Sequence, residues 1–275
     1  MTINNQFEWD GVLGFKFGQS LFGSPKMYSH VYYVDGLLID TGHRRMHKII
    51  FDRVKNLAVK QILITHHHED HTGNLNTFEK YFSCPAHASK QCCEIMKNPP
   101  FISFAQRITW GDRPDNHHLR PISGILKTQN HEFEIIPIPG HASDQIALYE
   151  RKKKWLFSAD LFVNSYIKMF LHSESMIQQI ESIRYILELD FDILFCGHNP
   201  KQRGGKALLK KKLDFFEDLY NNVKTQYQHT TDPKKIFKNL NLKESWEVRL
   251  LSHGYLSKLN MVRSAIRDIE REKDV

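Results

Sequence analysis

No apolar run in this sequence approaches the roughly 20 residues a membrane-spanning helix needs, so a chain embedded by helices is excluded. The first residues, Met1 to Gln6, are polar and lack the basic-then-apolar order of a secretory signal, which leaves a cytoplasmic location as the expectation. Cysteine is scarce. Of the four, Cys84, Cys92, Cys93 and Cys196, the adjacent pair is badly placed to bridge itself and has no second pair with which to complete a thiolate zinc site. Reduced, mostly buried thiols are expected. Repeats and low-complexity linkers are missing too, and 275 residues fit one domain spanning 1–275. Charge of one sign is not concentrated: 38 basic residues against 31 acidic ones give +7, which favours anionic partners, but the basic residues are spread along the chain. The local clusters, Arg151 to Lys154 and Lys210 to Lys212, read as a hairpin tip and a solvated helix face.

Histidine is what the chain has in excess, sixteen in all, and their placement carries more than their number. His30 to Val34 and Leu37 to Ile39 flank a turn at Asp35-Gly36 and read as paired strands. Met46, Ile49, Ile50 and Val54 then recur at helical spacing. A strand over 61–64 runs directly into the histidine-rich loop Thr65 to Gly73. Helices follow over about 74–81 and 88–97, with a short strand around Ala86 between them, and Asn98-Pro99-Pro100 stops the second. The stretch to Pro121, within 98–121, shows no clear period and reads as an insertion bordering a substrate pocket. Strands resume at 133–137, 145–149 and 155–157, a helix spans 176–189, and a strand over 192–196 ends at Gly197-His198. From Gly205 the pattern is helical, broken near Thr230 to Pro233, and 205–275 is expected to pack on the same domain as a helical extension.

Four strand-like segments each place polar side chains just past their carboxyl ends: the His66 to His71 group, His141, Asp160 and His198. His66 and His68, at i and i+2, point the same way in extended backbone. Neutral imidazole and carboxylate suit borderline divalent metals, and a catalytic zinc keeps about three protein ligands plus water. The donors His66, His68, Asp70, His71, His141, Asp160 and His198 therefore suit two ions, three ligands each with one carboxylate left to bridge and a bridging hydroxide as nucleophile. A lone histidine tract would read as an exposed polar loop, and a structural zinc site as closed and four-coordinate. The matched contexts Pro139-Gly140-His141, Ser158-Ala159-Asp160 and Gly197-His198 argue for an open, reactive site. Two zinc ions are expected, with iron or manganese also acceptable to these donors.

The run His66-His67-His68-Glu69-Asp70-His71 resembles the His-x-His-x-Asp-His signature of the metallo-beta-lactamase superfamily. The resemblance continues in order through Gly140-His141, Asp160, Gly197-His198 and the early Asp40-Thr41-Gly42, and covers about residues 15 to 200. It implies an α/β fold, an αββα sandwich of two mixed β-sheets flanked by helices, with the site along one edge. It also implies one ion on His66, His68 and His141, the other on Asp70, His71 and His198, and Asp160 between them. Asp70 would serve as a catalytic proton handler as well as a ligand, and Asp40 would orient a ligand. The pattern is closer to glyoxalase II-like thioester hydrolases and lactonases than to true β-lactamases, which usually lack the full ligand set. Asn199-Pro200 departs from a common Gly-His-Gly-Pro form, and beyond His198 no residue matches the glutathione-binding helices of glyoxalase II.

The expected activity is hydrolysis of an ester-like carbonyl, a thioester or a lactone, in a small-molecule substrate that the positive chain favours as an anion. Phosphodiester cleavage on the same two metals ranks second, because no interleaved aromatic and basic stripe marks a nucleic-acid groove. Persulfide dioxygenation with one iron is a third reading, while flavin-linked oxygen reduction is disfavoured because no flavodoxin-like domain fits the remaining chain.

Overall fold

Two-residue turns organise the amino-terminal third. Asp10-Gly11 and Asp35-Gly36 all take positive φ (49°, 84°, 47° and 84°), the backbone that closes a tight hairpin in step with strand twist. The first joins β1 (Thr2–Trp9) to β2 (Val12–Gln19), and the second joins β3 (Ser29–Val34) to β4 (Leu37–Ile39). α1 (His47–Val54) crosses over to β5 (Gln61–Leu63), which lies parallel to β4. Next come α2 (Glu69–Thr72), α3 (Leu75–Phe82), β6 (Ala86–Ala88), α4 (Lys90–Ile95), α5 (Phe104–Trp110) and β7 (Arg120–Pro121). These strands form one sheet in the order β1 to β7. The computed structural model describes every residue except Leu21, Phe22, Lys26, His117, Asp274 and Val275.

The second sheet contains β8 (Gly124–Lys127), β9 (Glu132–Pro137), β10 (Ile146–Glu150) and β11 (Trp155–Phe157). The chain then leaves it for β12 (Phe170–Leu171) and α6 (Met176–Glu188), and returns as β13 (Ile193–Phe195) beside β11, giving the order β13-β11-β10-β9-β8. The facing sides of the two sheets bury Tyr32, Leu37, Ile39 and Leu63 against Phe133, Leu148, Trp155, Phe157 and Phe195. Outside the first sheet, α1, α3 and α4 cover Val31, Leu38 and Ile62 with Ile50, Val54, Phe78 and Cys92. Outside the second lie α6 and the carboxyl-terminal elements α7 (Gly205–Tyr227), α8 (Pro233–Asn239), α9 (Trp246–Leu251), β14 (Leu256–Ser257) and α10 (Leu259–Lys273). Leu209, Leu213, Phe216, Val262 and Ile266 there share one core with Ile136, Ala147 and Leu194. The layers are thus helix, sheet, sheet, helix: the expected αββα sandwich of mixed sheets.

Sequence reading and structure part at β1, β8 and α5, and at the two-residue strands β7, β12 and β14, which are too short to show a pattern. β1 and β8 carry too little buried apolar surface to show alternation: β8 buries Leu126 alone, and β1 turns only Phe7 and Trp9 toward the aromatic cluster, Trp9 lying 6.0 Å from Phe195. The aperiodic 98–121 stretch contains α5, whose start is a capping box in which Ser103 and Gln106 bond each other's backbone N–H. The four cysteines are free thiols, three of them buried.

Candidate metal centre

The carboxyl ends of β4, β5, β9, β11 and β13 converge on one edge of the sandwich, and each is followed within a few residues by Asp40, His66, His141, Asp160 or His198. Bonds between the loops fix that edge. Ile146 N–H donates to the Thr65 carbonyl (3.0 Å), Ser158 N–H to Phe195 (2.8 Å) and Gly197 N–H to Ala159 (2.9 Å). Asp40 and Ala159 sit at φ 60° and 45°, conformations that L side chains adopt at a cost and that the surrounding bonds must enforce.

All seven expected donors meet there, in two groups. His66 Nε2 and His141 Nε2 lie 3.1 and 3.0 Å from His68 Nδ1, so three ring nitrogens face one point. Asp70, His71, Asp160 and His198 form the second group, their donor atoms all within 4.8 Å of one another. Asp160 reaches both: Oδ1 is 3.4 Å from His71 Nε2, while Oδ2 is 2.9 Å from His198 Nε2 and 3.4 Å from His141 Nε2. His67, inside the same run, points away and pairs with Asp144 at 2.8 Å.

This donor set fits cations better than protons. One proton between His68 and its neighbours cannot satisfy three converging lone pairs, whereas zinc with nitrogens at about 2.0–2.1 Å spaces them as observed. His71 Nε2 and Asp160 Oδ1 are buried with no hydrogen-bond partner. A Cβ on Gly197 would lie 2.1 Å from Asp160 Oδ1, so this position must be glycine for the bridge-like carboxylate to fit. The sequence profile of the metallo-beta-lactamase superfamily matches residues 25–198, the stretch that builds this edge.

The chain belongs to that superfamily. It is 27% identical over 192 residues to a hydroxyacylglutathione hydrolase of Bdellovibrio bacteriovorus, covering 70% of this chain and 66% of that protein. A probable metallo-hydrolase of Bacillus subtilis is 24% identical over 196 residues, covering 58% and 60% respectively. The chain thus spans under two thirds of either relative. Among solved structures, a metallo-beta-lactamase family protein from Thermus thermophilus superposes with a TM-score of 0.68 at 16% identity, covering 97% of this chain and 95% of that one. A flavo di-iron protein variant from Thermotoga maritima reaches 0.61 at 13% identity over 82% of this chain and 69% of its own; at such identities the likeness is of fold alone.

In this metallo-beta-lactamase edge the ring nitrogens turned away from the centre are held as well. His71 Nδ1 meets Asp40 Oδ2 at 2.7 Å, and Asp40 also accepts from Thr65 N–H (2.9 Å) and the Thr65 hydroxyl. His198 Nδ1 donates to the Tyr28 carbonyl (2.5 Å), and His141 Nδ1 lies 3.3 Å from Glu174 Oε2. Such outward partners choose which nitrogen carries the proton and free the other as a ligand. Asp40 was legible as a strand-end acid. Asp144 and Glu174 were not: neither sits at a recognisable spacing, and Glu174 reaches His141 from another segment.

The electrostatics are those of a cation site. Burial alone would strip the proton from His71 and His198, but the charges of Asp40, Asp70 and Asp160 on the former, and of Asp160 on the latter, override it; His71 rises well above the ordinary imidazole range and His198 to about 9. Asp160 is held well below the carboxylate range: burial opposes this, and His198 and His71 outweigh it. His66 and His68 are driven well below the imidazole range by burial and by the neighbouring rings, leaving them neutral.

The insertion borders this edge. Trp110, at the end of α5, lies over His198 with ring centroids 6.2 Å apart and planes 28° from parallel, and over His43 at 5.1 Å. Arg113 donates to the His67 carbonyl (3.2 Å) and to Pro100, and Arg45 to the Ile108 carbonyl, tying the insertion to the ligand loop and the start of α1.

Proposed function

We propose that the chain is a dinuclear metallohydrolase acting on an ester-like carbonyl, a thioester or a lactone. His66, His68 and His141 would hold one ion, and Asp70, His71 and His198 the other, with Asp160 shared. Zinc is the metal these donors suit best, with iron or manganese accepted. Bound there, the ions would supply Lewis acidity and water acidified toward a pKa of about 7. The observation that carries the reading is Asp160, whose two oxygens face donors of both groups.

The chain's own side chains have definite tasks in this scheme. Asp70, with Oδ2 3.6 Å from both His71 Nε2 and His198 Nε2, lies within the second group, where it can take a proton and return it to the leaving atom. Asp40 fixes the imidazole tautomer of His71. Trp110 excludes water from one side of His198. Likeness to a hydroxyacylglutathione hydrolase supports a thioester, and the net +7 supports an anionic one. Four free cysteines suit the reducing cytoplasm. None of the described helices is long and apolar enough to cross a membrane.

The test is a panel of acyl thioesters, lactones, bis(p-nitrophenyl) phosphate and a persulfide, offered to zinc-loaded and iron-loaded protein. Turnover of thioesters or lactones is expected. Turnover of the phosphodiester alone, or oxygen consumption with the persulfide on iron alone, would replace this reading with one of its rivals.

A further inference from the structure

Behind the first donor group lies a buried polar chain that no motif announces. Glu174, 7% exposed, follows β12 in a turn where Leu171 N–H donates to its Oε1 (2.7 Å) and Gln179 Nε2 to its Oε2 (2.7 Å), the oxygen that faces His141 Nδ1. Gln179 is itself buried and accepts at Oε1 from Lys212 Nζ (2.9 Å). Lys212, on α7 and 2% exposed, donates also to the carbonyl of Leu161 (2.7 Å), one residue past Asp160. A buried ammonium and a buried carboxylate are costly unless each is bonded and compensated. Here they share one amide, and burial lowers Lys212 to about 8 while Glu174 and Asp160 help it keep its charge.

The surrounding backbone is built to hold this chain in place. One face of α6 grips the loop that carries His141: Ser175 N–H donates to Gly140 (2.8 Å) and the Ser182 hydroxyl to Pro139 (2.8 Å). A Cβ on Gly140 would come within 2.5 Å of the Gln179 backbone nitrogen, so the approach requires glycine. From the other side α10 fastens Glu174, whose carbonyl accepts from the Ser264 hydroxyl (3.0 Å) and Arg267 Nη2 (3.1 Å).

We propose that Glu174, steadied by Gln179 and through it by Lys212, is the positioning residue of His141, keeping Nδ1 protonated and Nε2 turned to the cation as Asp40 does for His71. The carboxyl-terminal helices α7 and α10 are then part of the metal site's support. The inference rests on the metal-centre reading above.

Zinc affinity, measured by competition with a chromophoric chelator, and the visible spectrum of the cobalt-substituted protein test it without recourse to turnover. Glu174→Ala should weaken one of two zinc ions by about 10–100-fold and shift the cobalt bands, leaving the other ion unchanged. Glu174→Gln keeps an acceptor oxygen for Nδ1–H and should recover much of that loss, and Lys212→Met should weaken the same ion by less than Glu174→Ala. Unfolding midpoints of the metal-free variants report whether each is folded. Should Glu174→Ala not fold, Glu174→Asp, one methylene shorter and so withdrawn from His141 Nδ1, decides in its place: a measurable weakening of one ion supports the proposal and wild-type affinity overturns it. If Glu174→Ala binds both ions as the wild type does, with the same cobalt spectrum, or if Glu174→Gln recovers nothing, the inference fails and the metal centre stands. A wild-type chain that binds no zinc defeats both.

Discussion

At Gly197 a hydrogen atom separates function from its loss. Alanine there places a methyl 2.1 Å from Asp160 Oδ1 and 2.9 Å from His71 Cε1, so Asp160 must swing away from its place between the two donor groups. We expect Gly197→Ala to remain folded by circular dichroism while its zinc affinity falls by about 10–100-fold; undiminished affinity would show that Asp160 is not shared. His43, fully buried against Trp110, gives a prediction of another kind. Burial, with help from the Arg45 charge, lowers it from 6.5 to about 4, so between those values the unfolded chain binds the proton and the native chain does not. Its contribution to stability is therefore complete above pH 6.5 and is lost as the pH falls toward 4, by up to about 1.4 kcal/mol per unit and about 3 kcal/mol in all. Urea unfolding of metal-free wild type and His43→Leu should show the wild type losing stability faster over that window; parallel curves would refute it. The signature run exposed His66, His68, Asp70 and His71 as candidate donors to sequence reading because one loop must present several donors at fixed spacing. Glu174, Gln179 and Lys212 were invisible because three separate segments bring them together.

At the scale of elements, strands whose faces are buried were readable, β13 at a sheet edge included, and strands with little buried surface were not. β5, β11 and β13 are short apolar runs closed by turn residues, whereas β1 is polar along much of its length and pairs only at the rim. α5 had a legible start, Ser103 followed three residues later by Gln106, but its exposed Phe104 and Ile108 broke the helical period. Its buried Trp110 ties it to the metal edge. Trp110→Ala should cost about 3 kcal/mol in chemical unfolding and open His198 to water without lowering the metal content of the purified protein. Loss of an ion together with Trp110 would instead make α5 part of the metal-holding structure.

For the whole molecule, we propose a single folding unit over 1–275 in which the helices from 205 onward are packed as part of the sandwich. They supply Leu209, Leu213, Phe216, Val223, Val262, Ala265 and Ile269 to the core that covers the second sheet. Each large side chain of this kind is worth roughly 1.5–3 kcal/mol when fully buried, so their joint loss exceeds the typical stability of a domain. A chain ending at residue 204 should therefore be insoluble or molten; a soluble, cooperatively unfolding fragment would divide the protein in two. The αββα layering was legible because the signature loops fix where strands end, while the role of the carboxyl-terminal helices depends on contacts with distant strands that no local pattern records.

The central claim is that seven side chains from four loops hold a pair of cations. Elemental analysis of the purified chain against its protein concentration measures this most directly. Close to two equivalents of zinc, iron or manganese per chain, removed by a chelator together with all hydrolysis, is the result the account predicts. A chain that contains no such metal and still turns over its substrate at full rate would contradict it.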